Sequence, residues 1–152
     1  QTALHDSPCQ ALTTGLGVAL PEQGTYAYPD VLVFCGDPEV DTEHHDLLLN
    51  PTLLVEVLSE STGDYDRGEK FRRYRTLDAL QEYLIIDQYV PHVEHYVRQD
   101  TGWLLTETDA LDDTLALSSV PATLTIADVY ENVFPAEPPE EEPADSSDEN
   151  AA

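Results

Sequence analysis

The sequence predicts an α/β or α+β fold with a mixed central sheet, a flanking helix and an added β-hairpin. The predicted elements follow the order β-β-β-α-β and are then mostly β, which favours a mixed sheet beside one helix. The run Leu53–Leu58 is apolar at all positions but one, as in strands that are buried on both faces. The 152 residues suffice for one hydrophobic core without metal or disulfide crosslinks.

The first half of the chain is predicted to hold three strands after a polar, irregular segment at residues 1–15. These strands cover residues 16–20, 26–34 and 53–58. Pro29 lies within the second strand. It restricts that strand to a sheet edge or to its first residues, because proline cannot donate a hydrogen bond to the ladder.

The second half begins with a turn rich in serine and glycine, which leads into a helix. Asp64 or Asp66 can cap this helix, which we expect to run to about Arg75. The remaining predicted elements are strands at residues 83–87, 92–97, 102–106 and 114–117 and a helix at residues 126–133. The strands at 92–97 and 102–106 form the predicted hairpin.

The C-terminal segment differs in composition from the rest of the chain. Residues 135–152 are rich in Pro, Glu, Asp and Ser and have no apolar periodicity, which is typical of a disordered acidic tail. We therefore expect one folded domain at residues 1–134, followed by this tail.

The formal charge of the chain is −25. Seven of the 31 acidic residues lie in the predicted tail, so the folded domain still carries 24 acids against six bases. Such a surface repels nucleic acid over most of its area. Two explanations stay open: a high-salt cytoplasm, where salt screens the repulsion between hydrated carboxylates, or a partner that is itself basic.

Two observations bear on the compartment. Cys9 and Cys35 are too few to define a disulfide framework, and no secretory segment is visible, so we expect reduced thiols in the cytoplasm. No apolar run approaches the roughly 20 residues that span a bilayer, so we do not expect a membrane protein.

Two carboxylates are candidates for a metal site. Asp30 follows Pro29, and Glu56 lies inside the apolar run, where an uncompensated charge is costly to bury. Carboxylates on adjacent strands form a hard-oxygen site suited to Mg²⁺ or Mn²⁺, with several waters retained for a phosphate substrate. The alternative is structural: Asp30 caps a turn, and Glu56 pairs with an arginine.

The predicted helix contains Lys70, the only lysine in the chain. Asp66, Arg73 and Tyr74 lie on its side of the helix, because residues three and four apart are neighbours. The alternative is an Asp66–Lys70 surface pair worth roughly a few tenths of a kcal/mol. Five of the six basic residues form a basic island within nine positions: Arg67, Lys70, Arg72, Arg73 and Arg75. This island either binds phosphate or balances the charge of its neighbours.

Three segments taken together resemble one known family. They read YPDVLVF from Tyr28, LLVEVLSESTGDYDRGEKFRRYRTL from Leu53, and LQEYLIID from Leu80. In this order they resemble the Uma-two family of restriction endonuclease-like proteins, within the PD-(D/E)xK nuclease superfamily. The resemblance covers about residues 8–133, which is nearly the whole folded part.

The resemblance implies a restriction-endonuclease-like fold and a metal-dependent phosphodiesterase that acts on DNA. Asp30 matches the Asp of the PD motif and Glu56 the acidic residue of the (D/E)xK motif. Both would hold Mg²⁺ or Mn²⁺, with the carbonyl of Val57 as a third ligand. Leu58 occupies the place of the motif's lysine. In this family the lysine has moved to the following helix, where Lys70 matches.

The resemblance also implies supporting residues and partners. Asp66 and Tyr74 fall on family-typical positions, and Arg67 and Arg73 would hold flanking phosphates. Family members carry an N-terminal helical region with an acidic residue that completes the site, and we expect this chain to begin after it. DNA is the expected partner, and many superfamily members form homodimers. A catalytically inactive relic and an acidic protein-interaction module are the alternatives.

Overall fold

The computed structural model describes residues 7–13, 15–59 and 63–133. Its strands are β1 (Cys9–Leu12), β2 (Gly17–Leu20), β3 (Thr25–Ala27), β4 (Val31–Cys35), β5 (Leu47–Leu48), β6 (Leu53–Leu58), β7 (Glu82–Asp87), β8 (Val93–Gln99), β9 (Gly102–Thr108), β10 (Thr114–Ala116) and β11 (Thr123–Thr125). Its helices are α1 (Gly63–Tyr65), a π-helical turn (Asp66–Lys70), α2 (Phe71–Tyr74) and α3 (Ile126–Val133), with a 3₁₀ turn at Pro21–Gln23.

The main sheet has six strands in the order β1-β4-β6-β7-β8-β9. β6 and β7 are parallel, whereas the other neighbours are antiparallel, so the sheet is mixed as the sequence predicts. Smaller sheets are formed by β3-β2-β5 and by β10-β11. α1, the π-helical turn and α2 follow one another without a break, and we call residues 63–74 the site helix.

The two faces of the main sheet are covered by different elements. Successive side chains of a strand point to opposite faces, so each strand contributes to both. On the front face, Leu54 and Leu58 of β6 pack in one apolar cluster with Phe71 and Tyr74 of the site helix. On the back face, a second cluster joins the sheet to α3 and to the β10-β11 pair.

Phe71 fixes the site helix on the sheet. Its ring centroid lies 4.9 Å from that of Tyr83, 4.4 Å from that of Tyr96 and 5.3 Å from that of Trp103. These rings belong to β7, β8 and β9, so one buried side chain joins the helix to three strands. Offset and edge-on contacts of this kind stabilise by roughly 0.5–1.5 kcal/mol beyond the area that they bury.

Several predicted elements are confirmed, and two of them have the predicted bounds. β6 covers residues 53–58 and α3 covers residues 126–133, as the sequence predicts. The predicted hairpin is present as β8 and β9. β6 has a continuous apolar run, whereas α3 has apolar residues at helical spacing, and both are strong local signals.

The single strand predicted at residues 26–34 is wrong, because the chain breaks at Pro29. β3 pairs with β2 in the three-stranded sheet, whereas β4 belongs to the main sheet. Proline has no N–H to donate, so a ladder cannot continue through it unchanged. The break leaves Asp30 immediately before β4.

The predictions for the N-terminal segment and for the cysteines are also wrong. β1 pairs antiparallel with β4 at the edge of the main sheet, with Cys9 directly opposite Cys35, and the two form a disulfide. Residues 26 apart in sequence leave no local sign of this pairing. Since the cytoplasmic expectation rested on reduced thiols, the compartment stays a prediction.

The helix differs from the predicted one in its start and its regularity. Asp64 lies inside α1, in its first turn, rather than at a cap. Asp66 begins a π-helical turn, and α2 ends at Tyr74. Residues 60–62, where the cap would be sought, lie outside the described residues, as does the predicted tail at 135–152. None of the described helices is long and apolar enough to cross a membrane.

A buried carboxylate, Glu82, connects the back face to the loop after β10. Its Oε2 lies 2.6 Å from Nε2 of His95 and accepts from the N–H of Ser118 at 3.0 Å. Its Oε1 accepts from both the N–H and the hydroxyl of Ser119. Burial raises the pKa of Glu82, but these hydrogen bonds outweigh burial and lower the pKa from 4.5 to about 2.

We expect Glu82 to make stability depend on acid pH. Folded Glu82 stays ionised down to a pH of about 2, whereas in the unfolded chain it takes up a proton near pH 4.5. Its contribution is therefore complete above pH 4.5 and is lost as the pH falls towards 2. Urea unfolding should show Glu82→Gln to be about 3 kcal/mol less stable than the wild type at pH 7, with a smaller difference at pH 3.

The matched control is Glu22→Gln, which removes an exposed carboxylate. It should leave the free energy of unfolding within about 0.5 kcal/mol of the wild type. A destabilisation of Glu82→Gln that stayed constant from pH 7 to pH 3 would contradict the assigned pKa.

Candidate active site

The strand register places four carboxylates in one row across the front face. Glu56 is opposite Ile85, Ile85 is opposite Glu94, and Glu94 is opposite Glu107. Extending the β4-β6 register by one residue puts Asp30 opposite Glu56. Directly opposed residues point to the same face of a sheet. We call Asp30, Glu56, Glu94 and Glu107 the acidic row.

Glu56 is the buried member in the central strand, with 3% of its surface exposed. The hydroxyl of Tyr74 donates to its Oε2 at 2.7 Å, and Nζ of Lys70 lies 3.3 Å from the same oxygen. The ammonium of Lys70 also lies 5.5 Å from the ring centroid of Tyr65. The site helix thus supplies both groups that stabilise the carboxylate buried by β6.

Asp30 is exposed and contacts the backbone beside Glu56. Its Oδ2 accepts a hydrogen bond from the N–H of Val57 at 2.7 Å. The extended register places Pro29 opposite Val57, and proline has no N–H to offer the Val57 carbonyl. The N–H and C=O of a strand residue point to the same side. The carbonyl of Val57 therefore faces the side of β6 on which Asp30 lies.

The donor set of Asp30, Glu56 and Val57 fits a hard divalent cation. It consists of two carboxylates and a carbonyl, and oxygen donors are what Mg²⁺ and Mn²⁺ prefer. Opposed residues of antiparallel strands have Cα atoms about 5 Å apart, so the two carboxylates start from neighbouring positions. An ion held by these few groups would keep several waters.

Arg67 pairs with the next buried member of the acidic row. Its Nε donates to Oε2 of Glu94 at 2.7 Å, and Glu94 is 6% exposed. This hydrogen bond raises the pKa of Arg67 above its ordinary value. Arg67 and Lys70, three residues apart, therefore contact two different carboxylates of the row. The sequence predicts Arg67 as a phosphate ligand, whereas the structure gives it an internal partner.

The other arginines of the basic island also have partners inside the protein. Arg72 donates to Oε2 of Glu69 at 2.8 Å and Arg73 to the same oxygen at 3.1 Å. These hydrogen bonds from Arg72 and Arg73 lower the pKa of Glu69. The guanidinium of Arg75 lies 4.7 Å from the ring centroid of Phe71. The structure thus favours charge balance as the main role of the island.

The structure brings some of the predicted site residues together. Lys70 and Tyr74 contact Glu56, and Asp30 binds the backbone of Val57. The side chain of Asp66 lies outside the described part of the structure. The catalytic and metal-binding roles stay predictions.

Glu94 was missed at the sequence level. It lies in the polar hairpin, and the register across β6, β7 and β8 is what reveals its place in the same row as Glu56. A local signal was present, because alternation in β8 puts Glu94 on the same face as Tyr96, which packs against the core. That alternation marks Glu94 as a carboxylate turned towards the protein.

We expect Tyr74→Phe to destabilise the fold by about 1–2 kcal/mol, because it removes a donor from a buried carboxylate. Chemical denaturation at pH 7 measures the change. Tyr89→Phe is the control, since Tyr89 is 62% exposed and the same deletion there should have almost no effect. Equal effects of the two substitutions would show that the Tyr74–Glu56 hydrogen bond contributes nothing.

We expect Arg67→Met and Arg72→Met to differ strongly. The first leaves the buried carboxylate of Glu94 without its guanidinium, which should cost about 2–4 kcal/mol. The second breaks an exposed pair with Glu69, which should cost less than about 1 kcal/mol. Denaturation curves of both variants test this order, and the reverse order would contradict it.

Comparison with known proteins finds a matching family and two related sequences. The model of the Uma2 family, described as "Putative restriction endonuclease", matches residues 1–129. Protein sll1609 of Synechocystis sp. (strain ATCC 27184 / PCC 6803 / Kazusa) is 40% identical over 105 residues, which are 68% of this chain and 59% of that protein. Protein slr1290 of the same organism is 34% identical over 128 residues, which are 84% of this chain and 66% of that protein. The chain thus spans less than two thirds of each relative.

A solved structure shares the fold. It is described as a "putative nuclease belonging to DUF820" from Anabaena variabilis ATCC 29413 and matches with a TM-score of 0.67 at 16% identity, covering 88% of this chain and 74% of that one. This likeness shows the restriction-endonuclease-like α+β fold with its mixed sheet, as the sequence predicts. With the family match over residues 1–129, it follows that the chain belongs to the Uma2 family.

Proposed function

We propose that this chain is a metal-dependent endonuclease domain that hydrolyses DNA phosphodiester bonds. One observation carries the proposal: the start of β4, the middle of β6 and the site helix converge, with Nζ of Lys70 3.3 Å from Oε2 of Glu56 and Asp30 on the adjoining backbone. The descriptions of the family and of the structural neighbour as restriction endonuclease and nuclease support it.

Asp30, Glu56 and the carbonyl of Val57 are the proposed ligands of Mg²⁺ or Mn²⁺. When bound, such an ion polarises a phosphate and lowers the pKa of a bound water. Asp30 is exposed and Glu56 is buried, so the ligands open on one side towards solvent. A substrate phosphate can approach from that side.

Lys70 is proposed to act in catalysis through its positive charge. The side chain of Lys70 is 21% exposed, and its ammonium lies beside Glu56, where it can orient a water or stabilise charge that develops on phosphate oxygens. Tyr74 is a positioning residue, because its hydroxyl holds Oε2 of Glu56 without facing the open side. Both act from a helix that Phe71 fixes to the sheet.

Arg73 is a better candidate than Arg67 for holding a flanking phosphate. Arg73 and its partner Glu69 are each about one third exposed, and a pair of this kind is worth about 0–1 kcal/mol. A DNA phosphate can replace Glu69 at that small cost. Arg67 would have to leave Glu94, whose side chain is 8% exposed, which is far more costly.

The net charge of −25 sets the conditions under which DNA can bind. Salt weakens the binding of DNA to most proteins, because their cations release counterions from it. Here acids dominate, so salt also screens the repulsion between protein and DNA, over about 3 Å at 1 M. We therefore propose cleavage at molar salt. A homodimer is a further proposal, which sedimentation at the same salt tests.

The test is plasmid nicking with Mg²⁺ in molar KCl. We expect Glu56→Gln and Lys70→Met each to lower the rate at least 100-fold, because each removes a charge at the reacting centre. Arg72→Met is the matched control on the same helix, and Glu22→Gln is the control for loss of a carboxylate. Both controls should keep the wild-type rate within twofold.

Two results would overturn the proposal. Nicking that survives both Glu56→Gln and Lys70→Met would place the chemistry elsewhere. A wild type that neither nicks DNA nor takes up Mg²⁺ in calorimetry would favour the catalytically inactive relic. The alternative that the chain is an acidic protein-interaction module would then be tested by measuring its binding to basic proteins.

A further inference from the structure

We propose that His92, Glu94 and Glu107 form a second metal site, which takes a divalent transition-metal ion such as Zn²⁺ or Co²⁺. One ligand atom from each lies within 4.8 Å of the others. Nε2 of His92 is 3.1 Å from Oε1 of Glu107 and 3.8 Å from Oε2 of Glu94. Tetrahedral coordination with bonds of about 2.0–2.1 Å separates ligand atoms by about 3.4 Å, which falls between these two distances.

Two of the three ligands are held in place by other side chains. The N–H of His92 donates to the hydroxyl of Tyr130 at 2.8 Å, so α3 fixes the backbone of this histidine. The carboxylate of Glu94 accepts from Nε of Arg67 at 2.7 Å and from the hydroxyl of Tyr96 at 3.3 Å. In metal proteins, such outer donors orient the ligating carboxylates. These two ligands are thus positioned before an ion arrives.

Two carboxylates meet at this place. Glu94 and Glu107 are directly opposed on β8 and β9, and like charges in that relation destabilise a sheet. Arg67 compensates one of the two carboxylates. A divalent ion between them would compensate the other and join the two strands. His92 would then bind the ion through an imidazole nitrogen.

The donor types distinguish this site from the proposed nuclease centre. An imidazole nitrogen with two carboxylates suits Zn²⁺, Co²⁺ or Ni²⁺, whereas the all-oxygen set around Glu56 suits Mg²⁺. Glu56 and Glu94 lie two strands apart, which is about 10 Å. Ions that cooperate on one phosphate are about 3.5–4 Å apart. The second site is therefore separate, and its expected effect is on stability.

The experiment is Co²⁺ binding to the full chain, followed by visible absorption and calorimetry in molar KCl with excess Mg²⁺. These conditions suppress loose binding to the acidic surface. We expect one Co²⁺ with the absorption of a low-coordinate site. His92→Gln and Glu107→Gln should each weaken its affinity at least tenfold. Zn²⁺ should raise the Tm of the wild type but not that of either variant.

The controls separate this site from the acidic surface and from the nuclease centre. His44→Gln removes an exposed histidine whose Nδ1 is 3.4 Å from a carboxylate oxygen of Asp41, and it should leave Co²⁺ affinity unchanged. Glu56→Gln should abolish nicking while leaving Co²⁺ affinity unchanged, so the two proposals can fail independently.

Three results would overturn the second site. In the first, the Co²⁺ affinity is unchanged in both His92→Gln and Glu107→Gln. In the second, Co²⁺ binding is lost in Glu56→Gln alone. In the third, the wild type binds no Co²⁺. Each would mean that His92, Glu94 and Glu107 do not hold a metal ion. Since Glu107 is more than half exposed, its substitution keeps the test valid even if His92→Gln fails to fold.

Discussion

A carboxylate buried in the central strand is the constraint that the rest of the structure satisfies. Removing a carboxylate from water costs several kcal/mol unless charge and hydrogen bonds compensate it. Glu56 receives both from the site helix, through Lys70 and Tyr74. That compensation depends on the position of the helix, which the packing of Phe71 on the sheet determines. The compensation of the buried charge therefore depends on the apolar packing of the site helix.

The site was predictable where the signal is local and unpredictable where it depends on register. The apolar run of β6 shows both the strand and its unusual Glu56, and the family resemblance connects that residue to Lys70. The pairing of Arg67 with Glu94 joins residues 27 apart and depends on where the site helix lies on the sheet. The Cys9–Cys35 disulfide depends on the pairing of β1 with β4. Pro29 is a turn signal, but the sequence does not show that the strands on its two sides enter different sheets.

The six basic residues are all engaged within the protein. Four contact carboxylates from the site helix, and Arg75, which follows that helix, lies over the ring of Phe71. Arg98 donates to the carbonyls of Leu77 and Leu80 and lies 4.6 Å from the ring centroid of Trp103. The field outside the protein is therefore set by acids. Salt screens that field over a few ångströms, whereas it screens a buried pair such as Lys70–Glu56 much less. Salt that admits DNA would thus leave the site intact.

The site helix connects the two proposed cation sites. Arg67 and Lys70 are three residues apart on the site helix, yet their partners Glu94 and Glu56 lie two strands apart. Both ion pairs therefore depend on where the site helix lies on the sheet. An ion beside Glu94 would repel the guanidinium of Arg67, because both are positive. That repulsion acts on Arg67 rather than on Lys70, because Lys70 contacts a carboxylate two strands, or about 10 Å, away from Glu94.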